Sequence, residues 1–195
     1  MLEMSLRNSE SIDIHEVKME PGIVRLFTLV LVFLSSFSIG SASNTNISFN
    51  TGPFNGSIDL GMNCSDINIA RPIHNELLDG TGYDRFVIDI CGVSISLIHY
   101  NKSIFSPEKC VSTNTIFGDL ISLSADARTI QIYDRVIDGR NGAAGSATVP
   151  RYNSDVYDAS YLISSKSICR ITVWGASNRA KMISAMDTIH VKETK

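Results

Sequence analysis

The sequence predicts an α+β domain, with an antiparallel β-sheet of about six strands covered by two helices and preceded by one N-terminal apolar helix. Three observations carry this. Between residues 57 and 174, short runs alternate polar and apolar residues with the period of a strand, and Gly-containing turns separate them. Two segments, about 114–126 and the stretch after Ser177-Asn178, space their apolar residues as a helix does. The run Leu26 to Ala42 is apolar and uncharged throughout. Meandering strands flanked by helices fold as layers, because each element has one apolar side to bury.

Residues 1–25 read as a leader, and 26–42 as either a signal peptide or a single transmembrane anchor. The 17-residue run is at the lower edge of a bilayer span and just longer than a usual signal-peptide core. Its end, Gly40-Ser41-Ala42, supplies the small residues of a cleavage site, and cleavage near Ala42 would release the rest. The preceding residues 1–20 carry five acidic and two basic residues, which is unusual before a signal peptide; a start at Met19 leaves a short leader containing Arg25. Both readings place the bulk of the chain outside the cytoplasm, anchored by one helix or secreted. Residues 43–56 read as a linker and 57–195 as a single domain.

The elements follow in order. Ser57 to Met62 alternates as a strand, and a loop with Pro72, Gly80 and Gly82 follows. Arg85 to Ile90 and Val93 to Tyr100 flank Cys91-Gly92, which is either a tight hairpin or one long strand bulged at Gly92. Ser112-Thr113-Asn114 caps a helix over about 114–126, with apolar residues at 116, 117, 120, 121 and 123. Thr129 to Ile137 is a strand, and Asp138 to Gly142 supplies a turn with positive backbone dihedrals. The returning strand, Gly142 to Val149, has almost no side-chain bulk and lets another element approach the sheet closely. Two further strands, Val156 to Ile163 and Ile168 to Trp174, put Tyr157, Ala159, Tyr161 and Ile163 on one face. Ser177-Asn178 then caps a helix with Met182, Ile183, Met186 and Ile189 along one side.

This order, with the Ile137-Asp138-Gly139-Arg140-Asn141-Gly142-Ala143 hairpin and the closing Met186 to Val191 segment, resembles the PsbP-like fold over about residues 48–191. That fold is shared by photosystem extrinsic subunits, a nuclear-import factor for Ran and LpqN-type lipoproteins. The chain also resembles small exported proteins of methanogenic archaea that carry a signal segment and a Thr-Gly-Pro-Phe stretch, here Thr51 to Phe54. The resemblance implies binding or assembly with other macromolecules, and no catalytic set comes with it.

Local motifs give no enzyme. Ser106-Pro107-Glu108-Lys109 matches the Ser-x-x-Lys of penicillin-binding enzymes, but the partner motifs are missing. Gly139, Gly142 and Gly145 follow a turn into a strand, with no helix start to hold a phosphate. His74, His99 and His190 stand without a ligand at metal spacing, and Asp84, Asp89, Asp134 and Asp138 do not form a calcium loop. Tyr152, Tyr157, Tyr161 and Trp174 read as core and strand packing. No catalytic, cofactor or metal residue is expected, and no cofactor is called for.

Four cysteines, Cys64, Cys91, Cys110 and Cys169, all follow the apolar run and allow three pairings. Cys64 and Cys110, both expected in loops, are the candidate disulfide; Cys169 reads as a buried thiol. Asn46, Asn55, Asn63 and Asn101 each begin an Asn-x-Ser acceptor and are candidate glycosylation sites of an exported chain. The formal net charge of −3 carries no block of one sign beyond the run, which argues against nucleic acid as a partner. The expectation is an extracytoplasmic binding or assembly protein with a protein or small-ligand partner, touching the membrane through 26–42 if uncleaved. The alternative is a small extracytoplasmic hydrolase with a site built from sequence-distant residues.

Overall fold

The computed structural model describes residues 45–104 and 106–194, which belong to one compact unit, Ser43–Lys195. The expected leader, the apolar helix over 26–42 and the cleavage point near Ala42 lie outside the described residues. The architecture is α+β with antiparallel sheets and two helices, and the strands outnumber the six expected.

The stretch expected as a linker is structured. Its Asn46–Thr51 segment alternates exposed and buried residues as strand β1 and pairs with β2, Phe54–Asp59, through a turn at Gly52. Gly52 has φ +52, and a Cβ there would lie 2.3 Å from the Phe86 ring, so the turn presses directly on the core. A chain-terminal strand completes this small sheet in the order β1-β2-β11, where β11 is His190–Glu193.

The larger sheet has eight strands. β3 (Ile67–Ile69) and β4 (Ile73–Glu76) share one edge of β5 (Gly82–Ile90), and Arg71-Pro72 separates them because proline cannot donate to the ladder. β6 (Val93–Tyr100) follows β5 through Cys91 and Gly92, both at positive φ, so the segment is a two-residue hairpin and not a bulged strand. Next to β6 come β10 (Ser167–Trp174), β9 (Ser154–Ser164), β8 (Arg140–Val149) and, at the far edge, β7 (Gln131–Ile137). The β7–β8 turn uses Asp138 at φ +53 and Gly139 at φ +70, as the Asp-Gly pair predicts.

Helix α1 (Thr113–Ser122) begins where expected, with Ser112 Oγ accepting from the Thr115 amide. It stops near Leu123, short of 126, because Ser124 turns left-handed at φ +63. Helix α2 (Arg179–Thr188) follows Asn178, whose side chain donates to the Trp174 carbonyl and leaves the helix uncapped by it. Met182 and Met186 are buried as expected, but Ile183 is exposed, and Ile189 reaches the core from extended backbone past the helix end.

Two cores result. The larger one lies between the two sheets and α2, around Phe54, Ile58, Ile88, Ile95, Leu97 and Ile171. The smaller joins Ile116 and Leu120 of α1 to Ala143, Ala147, Val149 and Val156 of β8 and β9. The bulkless strand therefore does what its composition predicts: a Cβ at Gly145 would lie 2.8 Å from Ile116 Cγ2, so α1 sits on the sheet at glycine distance.

Candidate groove between the sheet edge and helix α2

Strand register decides what the other face of β8 does. Ala144 pairs with Ala159 and Tyr133, and Ser146 with Tyr157 and Gln131, so these side chains share the face opposite α1. There the short side chains of Ala144, Ser146 and Thr148 leave a trough, walled on one side by Tyr133 and Arg135 of β7 and on the other by Met182, Ile183 and Met186 of α2. The resulting groove has a volume of about 550 Å³ and opens to solvent. Its lining is mixed and more polar than apolar, with Met182, Ile183 and Met186 facing Gln131, Arg135, Ser146 and Thr148.

The polar ends are distinct. Arg135 pairs with Asp187 near the C-terminus of α2, and its Nε is buried with no hydrogen-bond partner among the described residues. A buried guanidinium N–H without an acceptor is costly, so an acceptor brought in by a ligand would be rewarded there. At the opposite end lie Arg179, exposed at the start of α2, and Asp155, whose carboxylate accepts from Thr148 Oγ1 at 2.7 Å.

A second polar cluster lies between α1 and the sheet. Asp158 accepts from Thr172 Oγ1 at 2.9 Å, and burial pushes its carboxyl up to about 6, against the pull of that hydrogen bond and of Arg170. Asp119 of α1 approaches Arg170 Nη1 to 2.9 Å, yet Asp119 Oδ2, Arg170 Nε and the Ser160 hydroxyl have no hydrogen-bond partner among the described residues. This cluster ties α1 to the sheet.

The histidines are not solitary once folded. His74 Nδ1 lies 2.8 Å from Asp84 on the exposed β4–β5 edge. His99 Nδ1 is 2.9 Å from Ser167 Oγ and 3.1 Å from Glu193 Oε1, while Glu193 Oε2 accepts from Ser164 and Ser167. Serine, histidine and carboxylate thus meet, but both partners converge on the same ring nitrogen and Ser167 is fully buried, whereas an acyl-transfer triad needs the serine on the nitrogen opposite the acid. His190 meets Asp138 at 2.6 Å on the hairpin turn. These partners lie up to 94 residues apart, and no local pattern announces them.

The other candidate residues are placed as follows. The disulfide joins Cys64 to Cys91, with Cα atoms 5.9 Å apart, and not to Cys110. The reason is positional: the main chain after Cys64 runs beside the β5–β6 turn, where the Cys91 amide donates to Asp66 O, whereas Cys110 is held in a 3-10 turn over Pro107–Val111. Cys110 is a half-buried free thiol raised by burial, and Cys169 is fully buried, its thiol pushed up to about 12 by burial. Asn46, Asn55, Asn63 and Asn101 are all exposed. Ser106 precedes the 3-10 turn at φ +50, with no bond from the Lys109 side chain to its hydroxyl among the described residues. Tyr161 is core, as expected, but Tyr152 and Trp174 are not: 58% and 36% exposed, they meet edge to face at the end of the sheet. Among the described residues no group of three or more His, Cys, Asp or Glu could hold a metal ion, and no helix is long and apolar enough to cross a membrane.

No protein-family model, no curated protein and no solved structure matches the chain.

Proposed function

We propose that this is an extracytoplasmic binding or assembly module of PsbP-like type, exported by the apolar run 26–42 and either anchored by it or released after cleavage near Ala42, with the groove between β8 and α2 as the seat of its partner. The observation that carries the reading is the trough over Ala144 and Ser146: strand and helix stand apart where small side chains leave room, beside a buried Arg135 N–H that lacks an acceptor. A core strand gains nothing from such a gap, since close packing is the norm in interiors. The exposed acceptor asparagines fit an exported chain.

The hydrolase alternative gains little from the His99 cluster, because the Ser167 hydroxyl is buried and on the same ring nitrogen as the acid. The binding reading is tested by thermal unfolding of the full-length chain with and without the extracytoplasmic fraction of its source cells. That fraction should raise the wild-type midpoint, as any ligand of the native state does, and leave Ser146→Trp, which fills the trough, unmoved. Equal shifts in both, or none, would count against the groove.

A further inference from the structure

The edge beside this groove has the features of a strand acceptor. β7 is the last strand of the large sheet, and among the described residues nothing pairs with its outer side. The opposite edge is blunted in the way soluble sheets usually are, by two short strands interrupted at Pro72. β7 is neither shortened nor interrupted: it runs seven residues without proline, lysine or bulge, and only Asp134 and Arg135 put charge on it. Its exposed apolar residues lie on both faces, Ile132 (37% exposed) and Val136 (63%) on the α1 side and Tyr133 (46%) on the groove side. An added strand would place its own side chains against both sets at once.

We infer that β7 binds an extended segment of another polypeptide by antiparallel strand addition, with alternate side chains of that segment packing against the Tyr133 and Arg135 wall of the groove. This rests on the groove being the partner site, and it narrows the partner to a peptide. Charge fixes its pattern. Asp134, exposed between Ile132 and Val136, calls for a cation opposite it; Arg179, with no carboxylate partner among the described residues, calls for an acid opposite Gln131 at the same end of the groove. Read along the guest strand, the order is apolar opposite Val136, a residue with a hydrogen-bond acceptor opposite Arg135, basic, apolar, apolar, acidic. Main-chain bonds to β7 would supply affinity and these side chains the selectivity, as in other strand-addition complexes.

The test uses a fluorescently labelled peptide, isoleucine-threonine-lysine-valine-valine-glutamate with serine at each end, titrated against the purified full-length chain by anisotropy. Two N-methylated versions block alternate sets of its amides. Binding should fall at least about tenfold when the set facing β7 is blocked, the equivalent of one or two main-chain hydrogen bonds, and stay near its starting value when the other set is blocked. Ile132→Lys should weaken it similarly, and Arg179→Glu should be rescued by exchanging the peptide's glutamate for lysine. Equal loss or equal retention with both methylated peptides would overturn strand addition, and if Ser146→Trp still blocks the peptide then only strand addition falls while the groove stands. No binding up to the peptide's solubility limit would also overturn it. So would self-association of the chain that Ile132→Lys abolishes, which would make the occupant a second copy.

Discussion

Asp138 Oδ1 lies 2.6 Å from His190 Nδ1, and its other oxygen accepts from the Val191 amide at 3.0 Å, so one turn residue of the β7–β8 hairpin holds the strand that closes the small sheet. Arg140 completes the ring of donors around a carboxylate that is almost fully buried. The turn needs a residue that tolerates φ +53, which aspartate does at little cost, and the same side chain then serves as a clamp. Asp138→Ala should cost about 2–3 kcal/mol, because it strands the Val191 N–H and the Arg140 guanidinium. Asp138→Asn keeps the backbone tolerance and one acceptor and should cost less. Urea unfolding of the two variants checks the order.

The Cys64–Cys91 bridge closes a loop with a sequence separation of 27, which in the chain-entropy model stabilises the fold by about 3.5 kcal/mol. The double variant Cys64→Ala, Cys91→Ala should lose that amount, while Cys110→Ser should lose little. Peptide mapping without reduction should recover the residues around Cys64 and Cys91 as one linked species. Cys169 should resist alkylation until the protein is unfolded, since its thiol is buried and raised to about 12.

Asp158 gives the fold a pH dependence of a definite sign. Its carboxyl titrates near 6 when folded, against an ordinary value near 3.8, so the folded state holds the extra proton between about pH 4 and pH 6. Its stabilising contribution is complete below pH 4 and is lost as pH rises through 6, by an amount on the order of 2–3 kcal/mol. Asp158→Asn keeps an acceptor for Thr172 Oγ1 and removes the ionisation. The variant should match the wild type near pH 3.5 and exceed it at pH 8, as read from denaturant midpoints at the two pH values.

Gly145 sets the height of α1 above the sheet. Gly145→Ala would bring a Cβ within 2.8 Å of both Ile116 Cγ2 and Ile132 Cγ2 and within 2.9 Å of the Gln131 carbonyl. The overpacking should cost about 1–3 kcal/mol. Adding Ile116→Ala vacates part of that space, so the double variant should be more stable than the sum of the two single losses predicts, a coupling that a thermodynamic cycle measures.

What was legible in the sequence follows from the range of each interaction. The β7–β8 hairpin and strands β9 and β10 stand where local periodicity and turn residues put them; the two helices are also present, but α1 ends at Ser122 and not near 126, Asn178 does not cap α2, and the pattern at Cys91-Gly92 left a bulged strand as open as the observed hairpin. β1 alternates cleanly over Asn46 to Thr51, but six residues in a polar stretch are too few to set it apart from a linker. β3, β4 and β11 are short edge or closing strands whose existence depends on the neighbour they join, here β5 and β2, and not on their own pattern. The groove was half legible: the missing bulk of β8 is plain, but that α1 would fill the Gly145 face and leave the Ser146 face open depends on register. Cys64 found Cys91 through the same kind of long-range placement, and the His99–Ser167–Glu193 and Asp138–His190 contacts need the closing strand in place before they exist.

The most direct measurement places a photo-crosslinking amino acid at Ile183, on the groove wall, or at Leu78, fully exposed on the turn between β4 and β5, in the full-length chain in whole source cells. Ile183 should give a discrete adduct, degraded by protease added outside the cells and abolished by Ser146→Trp, with no matching adduct from Leu78. An Ile183 adduct protected inside the cell, the same adducts from both positions, or none from Ile183 would contradict an extracytoplasmic binding module that works through this groove.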